Sequence, residues 1–311
     1  VVGLIAFILA ERAYKDDALL PLRLFKNRSF AVGSVGSIVL GAGMFGGILL
    51  LPQYLQIVHG SSPTVAGLQM IPLVAGIMTG AMSSGIAISK TGKYKVFPLV
   101  GIAFMVIALT SMSFVVDADT SVWTLVPFMV LLGVGLGFNF QPVILAVQNS
   151  VSPREMGVAT SSVTFFRQMG GTIGVAVFLS ILFTRLPTDI GNAVTSAAAT
   201  DPRVAQAVQS GQLPAGGDLS DTSFIQQLPD FLARPFKVGF SDSIDLVFLI
   251  AACVVAVGFF VFLFLPQLAL SDKSGIQAQQ DGDGPGTAVT PGVEADQATQ
   301  SVGASAPTST A

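Results

Sequence analysis

Arg167 is the residue of this chain whose type and position point most directly to chemistry. It lies within the stretch Val163 to Gly171, which has no other charged residue. A guanidinium at membrane depth is costly unless it faces a polar cavity or a partner, so it marks a candidate functional site. Gln168 beside it favours a cavity. The alternative is an arginine near the end of a span that extends to the lipid headgroups.

A second polar set lies earlier in the chain, where Asn139, Gln141 and Gln148 follow a long apolar run and Pro142 interrupts the local hydrogen-bond ladder. These amides could line the path of a substrate. They could equally join neighbouring helices by hydrogen bonds worth about 1 kcal/mol each. The pattern leaves both interpretations open, and Arg167, Gln168, Asn139 and Gln141 are the residues predicted to line the path.

Other kinds of chemistry find little support in this sequence. It has one histidine, His59, and one cysteine, Cys253, so a set of nucleophiles, bases or metal ligands cannot be assembled. The letters Gly41 to Gly46 match a dinucleotide fingerprint but lie inside an apolar run, where that motif has no function. No basic stripe indicates nucleic acid. We therefore expect neither an enzyme nor a metal site.

The elements that must position these residues are membrane helices. Hydrophobic residues make up 51% of the chain and charged residues 11%, whereas soluble domains carry about 25% charge. A helical span needs about 20 apolar residues. The predicted fold is an all-α integral membrane protein with six complete spans, at about 30–51, 65–89, 96–116, 122–148, 157–183 and 244–265. Residues 1–10 are interpreted as the remnant of a preceding span.

Basic residues predict the orientation, because short cytoplasmic loops hold the excess of lysine and arginine. The loops at 52–64 and 117–121 contain no lysine or arginine, so we expect them outside, with the long loop 184–243. Residues 11–29 then form a cytoplasmic linker. Residues 266–311 are polar and predict a disordered cytoplasmic tail. The basic residues of the opposite side are Arg12, Lys15, Arg23, Lys26, Arg28, Lys90, Lys93, Lys95 and Arg154.

Three segments carry a family resemblance. The run from Leu51 to Gly67, the lead-in from Pro21 to Phe30, and the region from Gln148 to Ala176 are similar to segments of one family. The chain resembles the fourteen-span drug:proton antiporters of the major facilitator superfamily, of the EmrB/QacA type. The six spans would be its spans nine to fourteen, which form the second six-helix bundle. The matching external-loop residues are Gln53, Tyr54, Gln56, Gly60, Pro63 and Gly67.

The segment from Gly85 to Lys95 is similar to the superfamily's cytoplasmic loop motif, although Ser89 stands where the motif has an acid. The resemblance implies that this segment forms part of a cytoplasmic gate. Lysines there could meet the carboxyl end of a neighbouring helix, where the helix dipole favours a cation. The residues assigned to the gate are Gly85, Lys90, Gly92 and Lys93.

The resemblance implies export of amphipathic compounds across the plasma membrane, driven by the proton gradient, without a cofactor. Its partners would be the substrate, protons, the lipid bilayer and an amino-terminal half that this chain lacks. No proton-carrying carboxylate is assigned to these six spans. Two alternatives stay open: an exporter of an endogenous lipid or secondary metabolite, and an inactive or structural membrane fragment.

Overall fold

The computed structural model describes residues 22–210, residue 225 and residues 228–266. All the regular elements in this part of the chain are helical. Short 3-10 turns, Leu22–Lys26 and Pro153–Glu155, precede the first and the sixth helix. The α-helices are α1 (Arg28–Ile57), α2 (Pro63–Gln69), α3 (Ile71–Thr91), α4 (Val96–Val115), α5 (Val122–Gln148), α6 (Met156–Thr200), α7 (Pro202–Gln209) and α8 (Asp230–Leu263).

Local sequence sets several of the helix ends. Asn27 caps α1, because its Oδ1 accepts hydrogen bonds from the backbone N–H groups of Ser29 and Phe30. Ser62 caps α2, with Pro63 at the first helical position, where its missing N–H costs nothing. Gly92 ends α3 with a positive φ of 67°, a backbone conformation that other residues adopt only at a cost.

Six helical segments are long and apolar enough to cross a membrane, which confirms the predicted fold class. They are Arg28–Ile57, Pro63–Thr91, Val96–Val115, Val122–Gln148, Pro153–Thr200 and Asp230–Leu263. The second of these comprises α2 and α3, which join at Met70 just before Pro72. Because hydrocarbon cannot satisfy backbone polar groups, each crossing segment has to be helical throughout.

Glycines let pairs of helices pack closely. α1 packs along α6 and α8, while α5 packs along α3 and α4. A Cβ on Gly80 of α3 would lie 2.6 Å from the carbonyl oxygen of Val134 in α5, and one on Gly174 of α6 would lie 2.6 Å from Cα of Ala42 in α1. Each of these glycines belongs to a small-xxx-small pair of the sequence, Gly76/Gly80 or Gly170/Gly174, and these two pairs lie at backbone-to-backbone contacts.

Within the predicted loop 184–243 the described residues are largely helical, and residues 211–224, 226 and 227 lie outside the described part of the chain. α6 continues to Thr200, α7 covers residues 202–209, and α8 begins at Asp230. With 45 residues, α6 is about 68 Å long, more than twice the thickness of the hydrocarbon. Hydropathy identifies only the part of a helix that contacts lipid. The added turns are held by packing instead: Ile190 of α6 lies against Gly239 of α8.

The prediction that the six spans contain no carboxylate is also wrong. Asp242 and Asp245 lie in α8, and Asp245 falls within the predicted span 244–265 as well. One carboxylate oxygen of Asp245 is buried without a hydrogen-bond partner among the described residues. Residues 1–10 and nearly all of the predicted tail 266–311 lie outside the described residues.

Candidate functional site

Arg167 lies on the side of α6 that faces the interior of the bundle, and only 8% of its surface is exposed. Its guanidinium carbon lies 4.8 Å from the centroid of the Phe140 ring of α5, a cation–π contact. Its Nη2 atom is buried and has no hydrogen-bond partner within the described part of the chain. Arg167 therefore does not extend to lipid headgroups, which was the alternative interpretation of this residue.

Asn139 of α5 is also buried, with 5% of its surface exposed. Its Nδ2 donates a hydrogen bond of 2.7 Å to the carbonyl oxygen of Gly135, one turn earlier. Its Oδ1 has no partner among the residues that the structure describes. Asn139 and Arg167 border one small cavity, of about 10 Å³, together with Leu40, Met44, Met105, Leu136 and Phe140. The structure thus brings together two of the four predicted residues.

Gln168 is exposed on a different side of α6 and belongs to a stripe of polar residues that sequence analysis missed. Thr164 and Thr172 of this stripe donate hydrogen bonds of 3.0 Å to the carbonyl oxygens four residues earlier, so their hydroxyls are satisfied within the helix. The Gln168 side chain has no such partner in the described chain. The stripe is composed of Ser161, Thr164, Gln168 and Thr172.

An apolar stripe runs beside the polar one on α6. Its exposed residues are Phe165, Ile173 and Val177. Apolar side chains suit hydrocarbon, whereas an exposed amide at membrane depth is costly unless it meets water or a polar partner. The two stripes therefore divide the exposed surface of α6 into a lipid-compatible side and a polar side. The spacing of three and four residues between Ser161, Thr164, Gln168 and Thr172 was the signal in the sequence.

Gln141 is exposed but does not join Arg167 or Gln168. By helical spacing it lies on the face of α5 that also carries the exposed Val130 and Trp123. Gln148 has an interhelical role, because its Nε2 donates a hydrogen bond of 2.9 Å to Oγ1 of Thr160 in α6. One of the two open interpretations of the polar set, bonding between helices, thus applies to Gln148.

The segment from Gly85 to Lys95 contacts the carboxyl end of α8. Lys95 Nζ donates a hydrogen bond of 2.9 Å to the carbonyl oxygen of Leu263, and the Tyr94 hydroxyl donates one of 3.0 Å to that of Pro266. We expected Lys90 or Lys93 to make such a contact, but both are exposed. Their place is taken by Lys95, which stabilises the last carbonyl groups of α8.

The segment that follows α1 is organised around Tyr54. Tyr54 is fully buried, its hydroxyl donates a hydrogen bond of 2.6 Å to the carbonyl oxygen of Asp117, and its ring meets that of His59 edge to face at 5.2 Å. Gly60 has a positive φ of 68°, which favours glycine. The other signature residues are on or near the surface: Gln53 and Gln56 are partly exposed, and Pro63 and Gly67 are exposed.

His59 predicts a dependence of stability on pH. Burial, and then the positive charge of Lys237, lower the pKa of His59 below 6.5. At pH values between 6.5 and the lowered pKa, His59 is protonated in the unfolded chain but largely neutral in the folded chain. The free energy of unfolding should therefore fall as the pH decreases through this range, and the contribution of His59 should be constant above it. We expect wild type to lose more thermal stability than His59→Gln between pH 7.5 and pH 5. Equal losses would contradict the assignment.

The described helices define a polytopic membrane protein, and comparison with known proteins gives its family. Residues 3–175 match the family model of the Major Facilitator Superfamily. The chain belongs to this superfamily. Its members are transporters rather than enzymes, and the chain is a multi-pass membrane protein.

Several curated proteins are similar to this chain. A Mycobacterium tuberculosis protein (strain H37Rv), named as an uncharacterized MFS-type transporter, is 37% identical over 86% of the chain and 36% of its own length. The tetracycline resistance determinant of Streptomyces rimosus is 34% identical over 86% of the chain and 80% of its own length. The multidrug transporter protein MdtP of Bacillus subtilis (strain 168) is 30% identical over 90% of the chain and 53% of its own length.

The chain thus spans about a third of the length of the mycobacterial relative. A solved structure supports the fold. A bacterial homolog of the human lysosomal transporter Spinster, in an inward-facing and unoccupied conformation, has a TM-score of 0.50 to this chain at 21% sequence identity. The match covers 78% of the chain and 50% of that protein. It shows the fold alone.

Proposed function

We propose that this chain is the second six-helix half of a drug-exporting antiporter of the EmrB/QacA type, driven by the proton gradient across the plasma membrane. The polar stripe of α6, exposed at membrane depth, carries the proposal, because it provides a wall suited to a wet substrate path. The names of two relatives, a tetracycline resistance determinant and a multidrug transporter, support drug export.

In this mechanism two halves rock about a site between them and expose it to each side of the membrane in turn. Gln168 would contact the substrate directly, since its amide is exposed and unpaired within the described chain. Arg167 and Asn139 would support the wall from behind, because both are buried. Gln141 stays a predicted path residue on a separate face of α5.

The cytoplasmic gate would involve Gly85, Lys90, Gly92 and Lys93, with the carboxy terminus on the same side. The contact of Lys95 with Leu263 supports this proposal, because it ties the loop between α3 and α4 to the end of α8. The loop and that helix end would then move as one body when the half rocks.

The proposal predicts that Gln168→Leu slows efflux of a fluorescent amphipathic cation from cells that produce the full-length protein. Loss of one hydrogen bond of about 1 kcal/mol corresponds to a rate about five-fold lower. The measurement is the initial rate of dye efflux at equal protein level in the membrane. The matched control is Ile173→Leu on the apolar stripe of the same helix, for which the rate should not change.

Two outcomes of this assay would count against the proposal. An unchanged rate for Gln168→Leu would remove the polar stripe from the substrate path. Efflux that continues after a protonophore collapses the proton gradient would remove proton coupling.

A panel of membrane lipids and secondary metabolites, tested for export in the same cells, distinguishes a drug exporter from an exporter of an endogenous compound.

A further inference from the structure

A cleft lies between α6, α7 and α8, in the part of these helices that extends beyond the hydrocarbon. Residues 246–263 of α8 carry no charge, and these 18 residues are about 27 Å long, close to the hydrocarbon thickness. The earlier turns of α8, from Asp230 to Asp242, therefore lie at the membrane surface and outside it. Because the cleft borders these turns, it opens to water.

The cleft has the size and the mixed lining of a ligand site. Its volume is about 870 Å³, within the range of roughly 300–1,000 Å³ that is usual for sites of small molecules. Hydroxyl, amide and charged groups form one part of the lining, and apolar side chains form the other. The apolar part is composed of Ala193, Ala197, Val204, Phe231, Pro235 and Val238. Such a surface favours a ligand that combines apolar and charged groups.

The charged groups of the cleft leave two carboxylates without a partner. Among the described residues, three aspartates and two arginines border it. Arg203 pairs with Asp201 at 2.9 Å, and Arg234 pairs at 2.7 Å with an aspartate between α4 and α5 that does not border the cleft. Asp230 and Asp242 form no ion pair within the part of the chain that the structure describes. The charge that the cleft lacks is therefore positive.

The two unpaired carboxylates lie at opposite ends of the cleft. Along α8, Asp242 follows Asp230 by about 18 Å, so they do not form one acidic cluster. Asp242 lies at the end nearest the membrane, where the negative charges of Asp189 and Asp117 also act on it. Both unpaired aspartates are exposed, so a ligand can reach them. Two separate negative ends attract a ligand that carries two separate positive charges.

An arginine of the chain itself shows that the cleft accepts a cation. The guanidinium carbon of Arg203 lies 5.3 Å from the centroid of the Phe231 ring, a cation–π contact. Its Nε and Nη2 atoms donate hydrogen bonds of 3.2 and 2.9 Å to the two carboxylate oxygens of Asp201. All three residues border the cleft. An organic cation on an aromatic ring, next to a carboxylate, is thus already present at the end of the cleft that holds Asp230.

We propose that this cleft binds an extended dication, a molecule with ammonium or guanidinium groups at both ends of a methylene chain. Linear diamines and polyamines belong to this chemical class. One end of the ligand pairs with Asp230 beside Phe231, the methylene chain lies on the apolar part of the lining, and the other end pairs with Asp242. Arg203 competes with the first end for the ring of Phe231. The inference concerns binding outside the hydrocarbon, so it holds whether or not the protein exports drugs.

Protection of a single cysteine in the purified full-length protein tests the proposal. Ser196→Cys places a thiol on α6 within the cleft, after Cys253 has been replaced by alanine. 1,12-Diaminododecane, whose nitrogens are about 16 Å apart when extended, should slow the reaction of this thiol with a polyethylene glycol maleimide. 1,4-Diaminobutane has the same two charges but cannot reach both carboxylates, so half-protection should need about five-fold more of it. Thr195→Cys, exposed on α6 outside the cleft lining, is the matched control and should not be protected.

The two unpaired carboxylates should each contribute to the binding of the long diamine. Asp230→Asn and Asp242→Asn should each raise its half-protection concentration about five-fold, as expected for the loss of one exposed ion pair. In either variant the long and the short diamine should protect equally, because each then pairs with one carboxylate. Equal protection by the two diamines in the wild-type protein, or unchanged protection in either variant, would overturn the proposal.

Arg203→Gln should change binding in the opposite direction. Glutamine has no charge, so the ring of Phe231 and the carboxylate of Asp201 become available to the ligand, and half-protection should need about three-fold less of the long diamine. Asp201 still caps α7, because its Oδ1 also accepts a hydrogen bond from the backbone N–H of residue 203. If Arg203 only stabilised the fold of this region, its loss would weaken protection. Weaker or unchanged protection would therefore refute the competition by Arg203.

Discussion

Gly170→Ala should lower the thermal stability of the protein strongly. The added Cβ would overlap the backbone carbonyl group of Ile38 in α1 and would lie 2.7 Å from its Cα. Backbone atoms cannot move aside by changing rotamer, so α1 and α6 would have to separate. Overpacking of this kind costs about 1–3 kcal/mol and occasionally more. The measurement is the melting temperature of the purified protein in detergent, together with its yield as a single species.

Gly157→Ala in the same helix is the matched control. A Cβ at Gly157 has no atom within 4 Å, so alanine fits without strain. Because alanine is the better helix former by about 1 kcal/mol at interior positions, this variant should be neutral or slightly more stable. Similar losses at the two positions would show that α1 and α6 do not approach as closely as the structure places them.

Single cysteines at positions 93 and 119 should react with a membrane-impermeant thiol reagent from opposite sides of the membrane. α4, between these positions, is 20 residues long, or about 30 Å, which matches the hydrocarbon thickness. We expect Asp119→Cys to be labelled in intact cells and Lys93→Cys only after permeabilisation. The native Cys253 is exposed and has to be replaced by alanine first.

The labelling pattern tests two predictions separately, the crossing of the membrane by α4 and the orientation of the chain. Labelling of both positions from the same side would refute the crossing by α4 and with it the six-span topology. Labelling on opposite sides but in the reverse sense would keep the six spans and refute the orientation inferred from basic residues. Asp119 forms an exposed ion pair of 2.7 Å with Arg234 at the surface, so the reagent can reach this position.

The number of spans, the fold class and the family follow from the sequence by itself. Hydrocarbon requires about 20 apolar residues in a helix for each crossing, so six long apolar runs predict six helices without any knowledge of their neighbours. Glycine pairs such as Gly76 and Gly80 likewise predict close helix contacts. The sequence also identified Arg167 as exceptional, since a charge within an apolar run is visible in the sequence.

Which side of each helix faces the bundle was decided by the tertiary structure. Arg167 and Gln168 are neighbours in sequence but point about 100° apart on α6, so one is buried and the other exposed. Packing also extended α6 and α8 past the hydrocarbon, and selected Lys95 rather than Lys90 or Lys93 for the end of α8. Hydropathy reports transfer into lipid, whereas these features depend on contacts between residues far apart in the chain.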